Sequence, residues 1–317
     1  MNSEIAVDPF VQEMIAGTNG NMYRSVIGKL DEYPISKLPI KPDGGGVLLD
    51  IGCGWGRWMV SAANAGFFPI GIDVKLDAAL AAQRVMRSLK VEGFTVVADL
   101  EMLPFADESF DCVWSYSVLQ HVNRPKARTC VQEVNRVLRN GSICMMEFPL
   151  AAGISNRFRI GRCVNDEDDP ESWCVRYYSI EELRRLFNDV FGSFSYRSHC
   201  YFGIGIQSVD LRFVPFRYKP LVAASLILTL LSRIVPGLKR ISDSIYVQGR
   251  KPSGPNGDSG PSRLDFLQFV NILRCPLSRS PLEFDWERGQ LISREAGLAY
   301  SVEDGVPILL SHAACKL

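Results

Sequence analysis

The chain has little that ties it to nucleic acid, to a metal or across a membrane. Its 35 Lys and Arg balance 35 Asp and Glu, so no general basic field draws it onto a polyanion. There are three His, and the nine Cys are odd in number, scattered and never spaced Cys-x-x-Cys. That pattern argues against a disulfide scaffold or an intact zinc ribbon, and it fits the reduced thiols of a cytoplasmic protein. No basic stretch followed by an apolar one opens the sequence, so no signal peptide is expected. The longest apolar run, Leu221 to Leu231, extends about 16 Å as a helix against about 30 Å of bilayer core, too short to cross a membrane alone.

What is present is a globular chain. Hydrophobic residues make up 47% and charged residues 22% of 317 positions, enough for a sizeable core and against general disorder. The length suggests about two domains. The stretch Lys251 to Ser262, rich in Pro, Gly and Ser, reads as a flexible linker. It separates a large unit, 1–251, from a small module, 263–317, with the linker proper at 252–262.

In the large unit strand-like runs alternate with helical patterns. Strands are expected at Val47–Asp50, Pro69–Asp73, Phe94–Ala98, Asp111–Tyr116 and Ser142–Phe148, with two later ones at Ser193–Cys200 and Asp243–Gln248. Helices are expected at Gly56–Ala65, Leu76–Leu89 and Arg128–Leu138, the last stopped by Asn140-Gly141. A capping box, Ser179-Ile180-Glu181-Glu182, opens another that runs to about Phe191. This alternation predicts an α/β, Rossmann-like doubly wound, mostly parallel seven-stranded sheet, followed by a small β-rich C-terminal domain.

One loop carries most of the chemistry. Leu48-Leu49-Asp50-Ile51-Gly52-Cys53-Gly54-Trp55-Gly56 is a strand with an acid near its end, then three glycines at alternate positions leading into a helix. Such a loop brings backbone N–H groups to a ligand, though by itself it can equally be a tight turn. The spacing is neither that of dinucleotide binders nor that of a phosphate loop. Asp73 ends the second strand and Asp99 follows the third. Three acids at the carboxyl ends of successive strands face the crevice in which open parallel sheets hold ligands, an acid at the second suiting ribose hydroxyls.

These residues, with Leu103-Pro104-Phe105-Ala106-Asp107-Glu108-Ser109-Phe110-Asp111, Val118-Leu119-Gln120-His121-Val122 and Val137-Leu138-Arg139-Asn140-Gly141, resemble the class I S-adenosylmethionine-dependent methyltransferases, in particular the quinone, sterol and small-molecule group. The resemblance implies S-adenosylmethionine as cofactor. It places Asp50, Gly52 and Gly54, with Cys53 and Gly56 in the same loop, at its methionine portion. Asp73, with Val74 beside it, would hold the ribose; Asp99 and the Leu100 N–H would meet the adenine; Ser115 and Tyr116 would lie near the sulfonium. It implies in-line displacement at an activated methyl, where positioning supplies much of the rate. His121 is the candidate general base, a role that capping or packing would also explain.

The acceptor side is less determined. Asn21-Met22-Tyr23-Arg24, the irregular stretch 153–178 with its acidic cluster 165–169, and 201–241 all qualify. The last joins the apolar run to Arg212-Phe213-Val214-Pro215-Phe216-Arg217-Tyr218-Lys219. It reads as a buried core helix, a cap over a lipophilic acceptor, or a peripheral membrane contact through 212–238.

The tail, from Asn271 through Cys275-Pro276-Leu277-Ser278 and Leu291-Ile292-Ser293 to Asp304-Gly305-Val306-Pro307, resembles the zinc-ribbon-like activator subunit of tRNA and protein methyltransferases and its short bacterial homologues. Ser278 and Ser293 stand where zinc-binding members carry Cys, so no metal is expected. The tail is expected to dock on the large unit as a built-in partner. The leading expectation is methyl transfer to a small, lipophilic acceptor. The alternative is an RNA (tRNA or rRNA) methyltransferase with its activator fused in cis, against which the absent basic excess weighs.

Overall fold

The computed structural model describes residues 8–19, 26, 28–30, 32–40, 45–158, 175–254 and 260–317. The segment Asn21–Arg24 and the acidic cluster 165–169 lie outside these residues. In chain order the elements are α1 (Pro9–Asn19), β1 (Val47–Ile51), α2 (Arg57–Asn64), β2 (Phe68–Asp73), α3 (Leu76–Ser88), β3 (Phe94–Ala98), β4 (Phe110–Ser115), α4 (Arg124–Val137) and β5 (Leu138–Pro149). Then come α5 (Ile180–Phe191), β6 (Ser195–Cys200), α6 (Lys219–Leu231), α7 (Pro236–Lys239), β7 (Ser244–Arg250), α8 (Phe266–Ile272), β8 (Glu283–Asp285), β9 (Gln290–Ser293), β10 (Leu298–Glu303), β11 (Val306–Leu309) and β12 (Cys315–Lys316).

Two compact units result. The first draws on Met1–Val113, Arg136–Arg139 and Asp258–Leu317; the second on Trp114–Asn135 and Asn140–Gly257. In the first, β1, β2 and β3 pair in parallel, Val47 opposite Phe68 and Ile70 opposite Phe94. All five residues of β1 are buried, which is why it reads as one continuous apolar run. The C-terminal strands extend this sheet. β11 pairs in parallel with β3, Ile308 opposite Val97 and Leu309 opposite Ala98. β10, β9 and β8 follow by antiparallel pairing.

The attachment is apolar as well as hydrogen-bonded. Val306 is fully buried with Ala79 and Val97, flanked by Leu76, Leu80 and Ile308. The rings of Phe94 and Phe269 stack at 4.1 Å. Ala106 N–H donates to Ile272 O (2.8 Å) and Arg274 N–H to Pro104 O (2.9 Å). Arg136 and Arg279 both donate to Leu103 O, at 2.9 and 3.0 Å. One carbonyl thus takes up both guanidinium groups, and together these contacts pin the loop that follows Asp99.

Inside the tail the expected ligand places form a hydroxyl cluster. Ser280 Oγ lies 2.8 Å from both Ser278 Oγ and Ser293 Oγ, and Cys275 Sγ lies 3.1 Å from Tyr300 Oη. Burial raises the Cys275 thiol, but hydrogen bonds from Ser278 and Tyr300 more than offset it, leaving the thiol below its ordinary range. Among the described residues no three His, Cys, Asp or Glu side chains gather as a metal-binding group.

In the second unit β7 pairs antiparallel with β5 (Ile143 opposite Arg250) and with β6. The capping box forms as expected: Ser179 accepts from Glu182 N–H and Glu182 from Ser179 N–H. Several boundaries shift from the expectation, two of them by more than a residue or two. α4 begins at Arg124 rather than Arg128, and Asn140-Gly141 lies within β5 instead of ending the helix. Gly141 takes φ +79°, and its N–H reaches Lys251 O and Pro252 O at 3.1 Å. The ladder therefore continues through the turn residues and also ties down the start of the linker.

α6 corrects a third expectation. It is not a core helix, since it buries only Val222 and Ser225. No described helix is long and apolar enough to cross a membrane.

Candidate functional site

In the first unit the glycine loop folds as its sequence demands. Gly52, Gly54 and Gly56 all take left-handed φ, +70°, +51° and +89°, which side-chain-bearing residues rarely adopt. Gly52 and Cys53 N–H both donate to Ile72 O, locking the loop to β2. Gly54 N–H donates to Asp73 Oδ2 at 3.1 Å. A Cβ at Gly54 would meet nothing within 4 Å, so the loop is open there, whereas one at Gly56 would press on Ala82 at 3.1 Å. Gly56 therefore serves helix packing as well as the turn. Gly71, which the sequence reading passed over, is equally constrained: its Cβ would fall 2.4 Å from Met59 Sδ and 2.8 Å from Cys53 Cβ.

Asp50 is the outlier of the site. It is 1% exposed, and neither carboxylate oxygen has a hydrogen-bond partner among the described residues. Burial first, and then the charge of Asp73, push its carboxyl up from 3.8 to about 8. Asp73 is raised by burial too, against donation from the Lys75, Gly54 and Val74 N–H groups. Cys53 is held well above the ordinary thiol range, mainly by burial, which suits a small filler beneath the loop and not a reactive thiolate. Val74 beside Asp73 is 54% exposed. Asp99 caps a short turn, Leu100–Met102, by accepting from Glu101 N–H at 2.9 Å, and Leu100 is buried. All these predicted residues fall in one unit, at the ends of β1, β2 and β3.

A buried carboxylate without a donor is costly unless a ligand supplies one. An ammonium group meets that need, and the space at Gly54 is open to a ligand. The residues present therefore fit S-adenosylmethionine.

The remaining predicted residues belong to the second unit. Ser115 is buried at the end of β4. Tyr116 follows the strand, and Ser117 then takes φ +60°, a strained turn for a residue with a Cβ. Tyr116 Oη lies 2.9 Å from His199 Nε2. The His199 ring packs against that of Tyr246, tilted at 45° with the centroids 4.4 Å apart. Burial, and then Arg197, drive its pKa down to about 3, so it is neutral. Ser117 Oγ donates to Glu147 at 2.9 Å, and burial raises that carboxyl. His121 ends a short turn, Leu119–His121; its Nε2 lies 3.3 Å from Gln120 Nε2, and its carbonyl accepts from Arg176. Only long-range pairing brings His199 and Glu147 to Tyr116 and Ser117, which is why no local signal marked them.

Residues 49–146 match the family described as Methyltransferase domain, and residues 267–305 match the Trm112p-like protein family. A UPF0434 protein of Caulobacter vibrioides is 50% identical over 50 residues, which are 16% of this chain and 77% of that protein. One of Anaplasma phagocytophilum is 56% identical over 50 residues, 16% of this chain and 70% of that protein. Among solved structures, an S-adenosylmethionine-dependent methyltransferase of Methanosarcina mazei is 18% identical, covering 69% of this chain and 100% of that one at TM-score 0.49. A complex containing the Haloferax volcanii Trm112 methyltransferase activator is 16% identical, covering 77% and 98% at TM-score 0.47. The two family matches and the C-terminal relatives identify an S-adenosylmethionine-dependent methyltransferase domain over 49–146 in a chain that belongs, through its C-terminal segment, to the UPF0434 family.

Proposed function

We propose that the enzyme methylates a small lipophilic acceptor, with residues 1–251 as the catalytic domain, 252–262 as linker and 263–317 as a docked activator-like domain. The observation that carries the acceptor class is the exposed apolar surface of 216–235, where Phe216, Ile227, Leu230 and Ile234 are 57–86% exposed. A chain that keeps such an apolar surface exposed suits a greasy ligand better than a polyanion.

In this reading the orphaned Asp50 takes the cofactor's ammonium, and the Gly52–Gly54 backbone lies against its methionine portion. Asp73 accepts from the ribose hydroxyls, with Val74 as an apolar edge. Asp99 and the Leu100 N–H read the adenine. Bound cofactor supplies a methyl group on a sulfonium, already activated for displacement. In the second unit, Ser115 and Tyr116 are the residues we assign to the reacting end, and His121 is the one we assign to remove a proton where the acceptor needs it. The neutral His199 accepts from Tyr116 and fixes that phenol's direction.

A second reading, RNA methylation with the activator fused in cis, draws support from the backbone pairing of β11 with β3. Transfer of labelled methyl from S-adenosylmethionine to a lipid extract and to bulk RNA separates the two. Label in the organic phase alone is the expected result, and label in RNA alone overturns the proposal.

A further inference from the structure

α6 is built inside out. Its inward face carries the buried Val222, Ser225 and, just beyond the helix, Ser232, with Thr229 half-buried between them. Ser225 Oγ donates to Tyr201 O and accepts from Tyr201 N–H, both at 3.0 Å. Thr229 Oγ1 donates to Ser225 O (2.8 Å) and Ser232 Oγ to Thr229 O (2.7 Å). The hydroxyls are thus satisfied inside while the branched apolar residues point out. Ile227 is 57%, Leu230 58%, Ile234 80% and Phe216 86% exposed. Single exposed apolar residues are ordinary, but a continuous ridge marks a surface that something covers.

The charge around the ridge says what covers it. Between Leu211 and Ser242 the chain has six cations, Arg212, Arg217, Lys219, Arg233, Lys239 and Arg240, and no Asp or Glu. They flank the ridge at both ends, and all but Lys239 are exposed. Arg212 and Arg217 lie over the Phe213 and Tyr218 rings, at 4.6 and 4.8 Å, an aromatic-basic border of the kind that suits a headgroup layer. A second copy of the chain is a poor occupant, because a two-fold contact sets a patch against itself and would oppose six cations to six. An anionic bilayer satisfies both features. At about 1.5 Å per residue α6 spans about 20 Å, so it lies in the interface rather than crossing it.

We infer that residues 212–240 form a peripheral membrane anchor, with the Ile227–Leu230–Ile234 ridge in the headgroup–acyl boundary and the six cations on anionic lipid headgroups. The inference draws on the same exposed surface as the lipophilic-acceptor reading but not on the cofactor assignments, and vesicle binding reads it without any methyl transfer. It is tested with the full chain by flotation on phosphatidylcholine vesicles, with and without phosphatidylglycerol. The wild type should float with the anionic vesicles, less so at high salt. Ile227→Glu/Leu230→Glu should weaken partitioning about 100-fold, from the lost burial of two large side chains, with an unchanged melting temperature because both are exposed. Arg217→Glu/Lys219→Glu should weaken it roughly tenfold or more and flatten its salt dependence. A wild type that stays off anionic vesicles overturns the inference, as does an Ile227→Glu/Leu230→Glu chain that floats equally well. A wild-type dimer that this variant dissociates, with no vesicle binding, would assign the ridge to a second copy instead.

Discussion

Replacing Asp50 by Asn removes a charge that the surrounding protein does little to stabilise. The carboxyl is buried without a donor among the described residues, and burial with the Asp73 charge carries it from 3.8 to about 8. Its raised value means that the folded chain keeps a proton which the unfolded chain releases between about pH 4 and pH 8. Stability is therefore lost as pH rises through that window, and the penalty is complete above about pH 8. At about 1.4 kcal/mol per tenfold, the full penalty is at most on the order of 6 kcal/mol. Without cofactor, Asp50→Asn should match the wild type near pH 4 and exceed it in stability above pH 8. The difference between the two denaturation curves isolates Asp50 from Asp73 and Glu147, which are also raised. With cofactor the sign reverses. An ammonium placed against Asp50 favours the carboxylate, so binding at pH 7 should expel up to about one proton. Calorimetry in buffers of different ionisation enthalpy reads that proton. Asp50→Asn should bind S-adenosylmethionine about 1.5–3 kcal/mol more weakly and release none. A variant whose stability tracks the wild type at every pH, or whose affinity is unchanged, refutes the reasoning.

Three further outcomes are expected. Asp73→Ala should weaken S-adenosylmethionine binding by about 1.5–3 kcal/mol through lost ribose hydrogen bonds, and calorimetry showing wild-type affinity would remove Asp73 from the site. The purified chain should hold less than stoichiometric zinc, since Ser278, Ser280 and Ser293 bond to one another where thiolates would be needed; elemental analysis finding one tightly held zinc per chain contradicts this. Truncation after Lys251 should lower the melting temperature and the solubility of the remaining chain, because it strips β11 and Phe269 from β3; an unchanged melting temperature and turnover would leave the docked tail without a structural role.

Much of the cofactor side was legible because its signals are local. β1, β2 and β3 are apolar runs closed by acids, and glycine alone suits the loop's left-handed turns. The Ser179–Glu182 box announced α5 because both partners lie within one turn. α8 had the same kind of signal, Asp265 with Gln268, but its seven residues sit in a stretch read for strands. What stayed hidden depends on partners far along the chain. Tyr116 meets His199 across 83 residues, and β3 meets β11 only after more than half the sequence has intervened. The polarity of α6 was hidden for another reason. Its composition suits a core, and only the observed burial of Ser225 in place of Leu230 shows that it is not a core helix.

The C-terminal domain does more than cover a strand. An open β3 would present unpaired backbone groups, a standing invitation to association. The pairing of Leu309 with Ala98 closes that row at the residue immediately before Asp99. Beyond Asp99 the loop is held again, at Leu103 by Arg279 and at Pro104 and Ala106 by the backbone of Arg274 and Ile272. Asp99 therefore sits between two anchors supplied by the tail. Covalent linkage keeps such a partner at an effective concentration of about millimolar, so even weak docking would be nearly complete. The tail thereby fixes the backbone on both sides of Asp99, without itself contributing a residue to the ends of β1, β2 or β3.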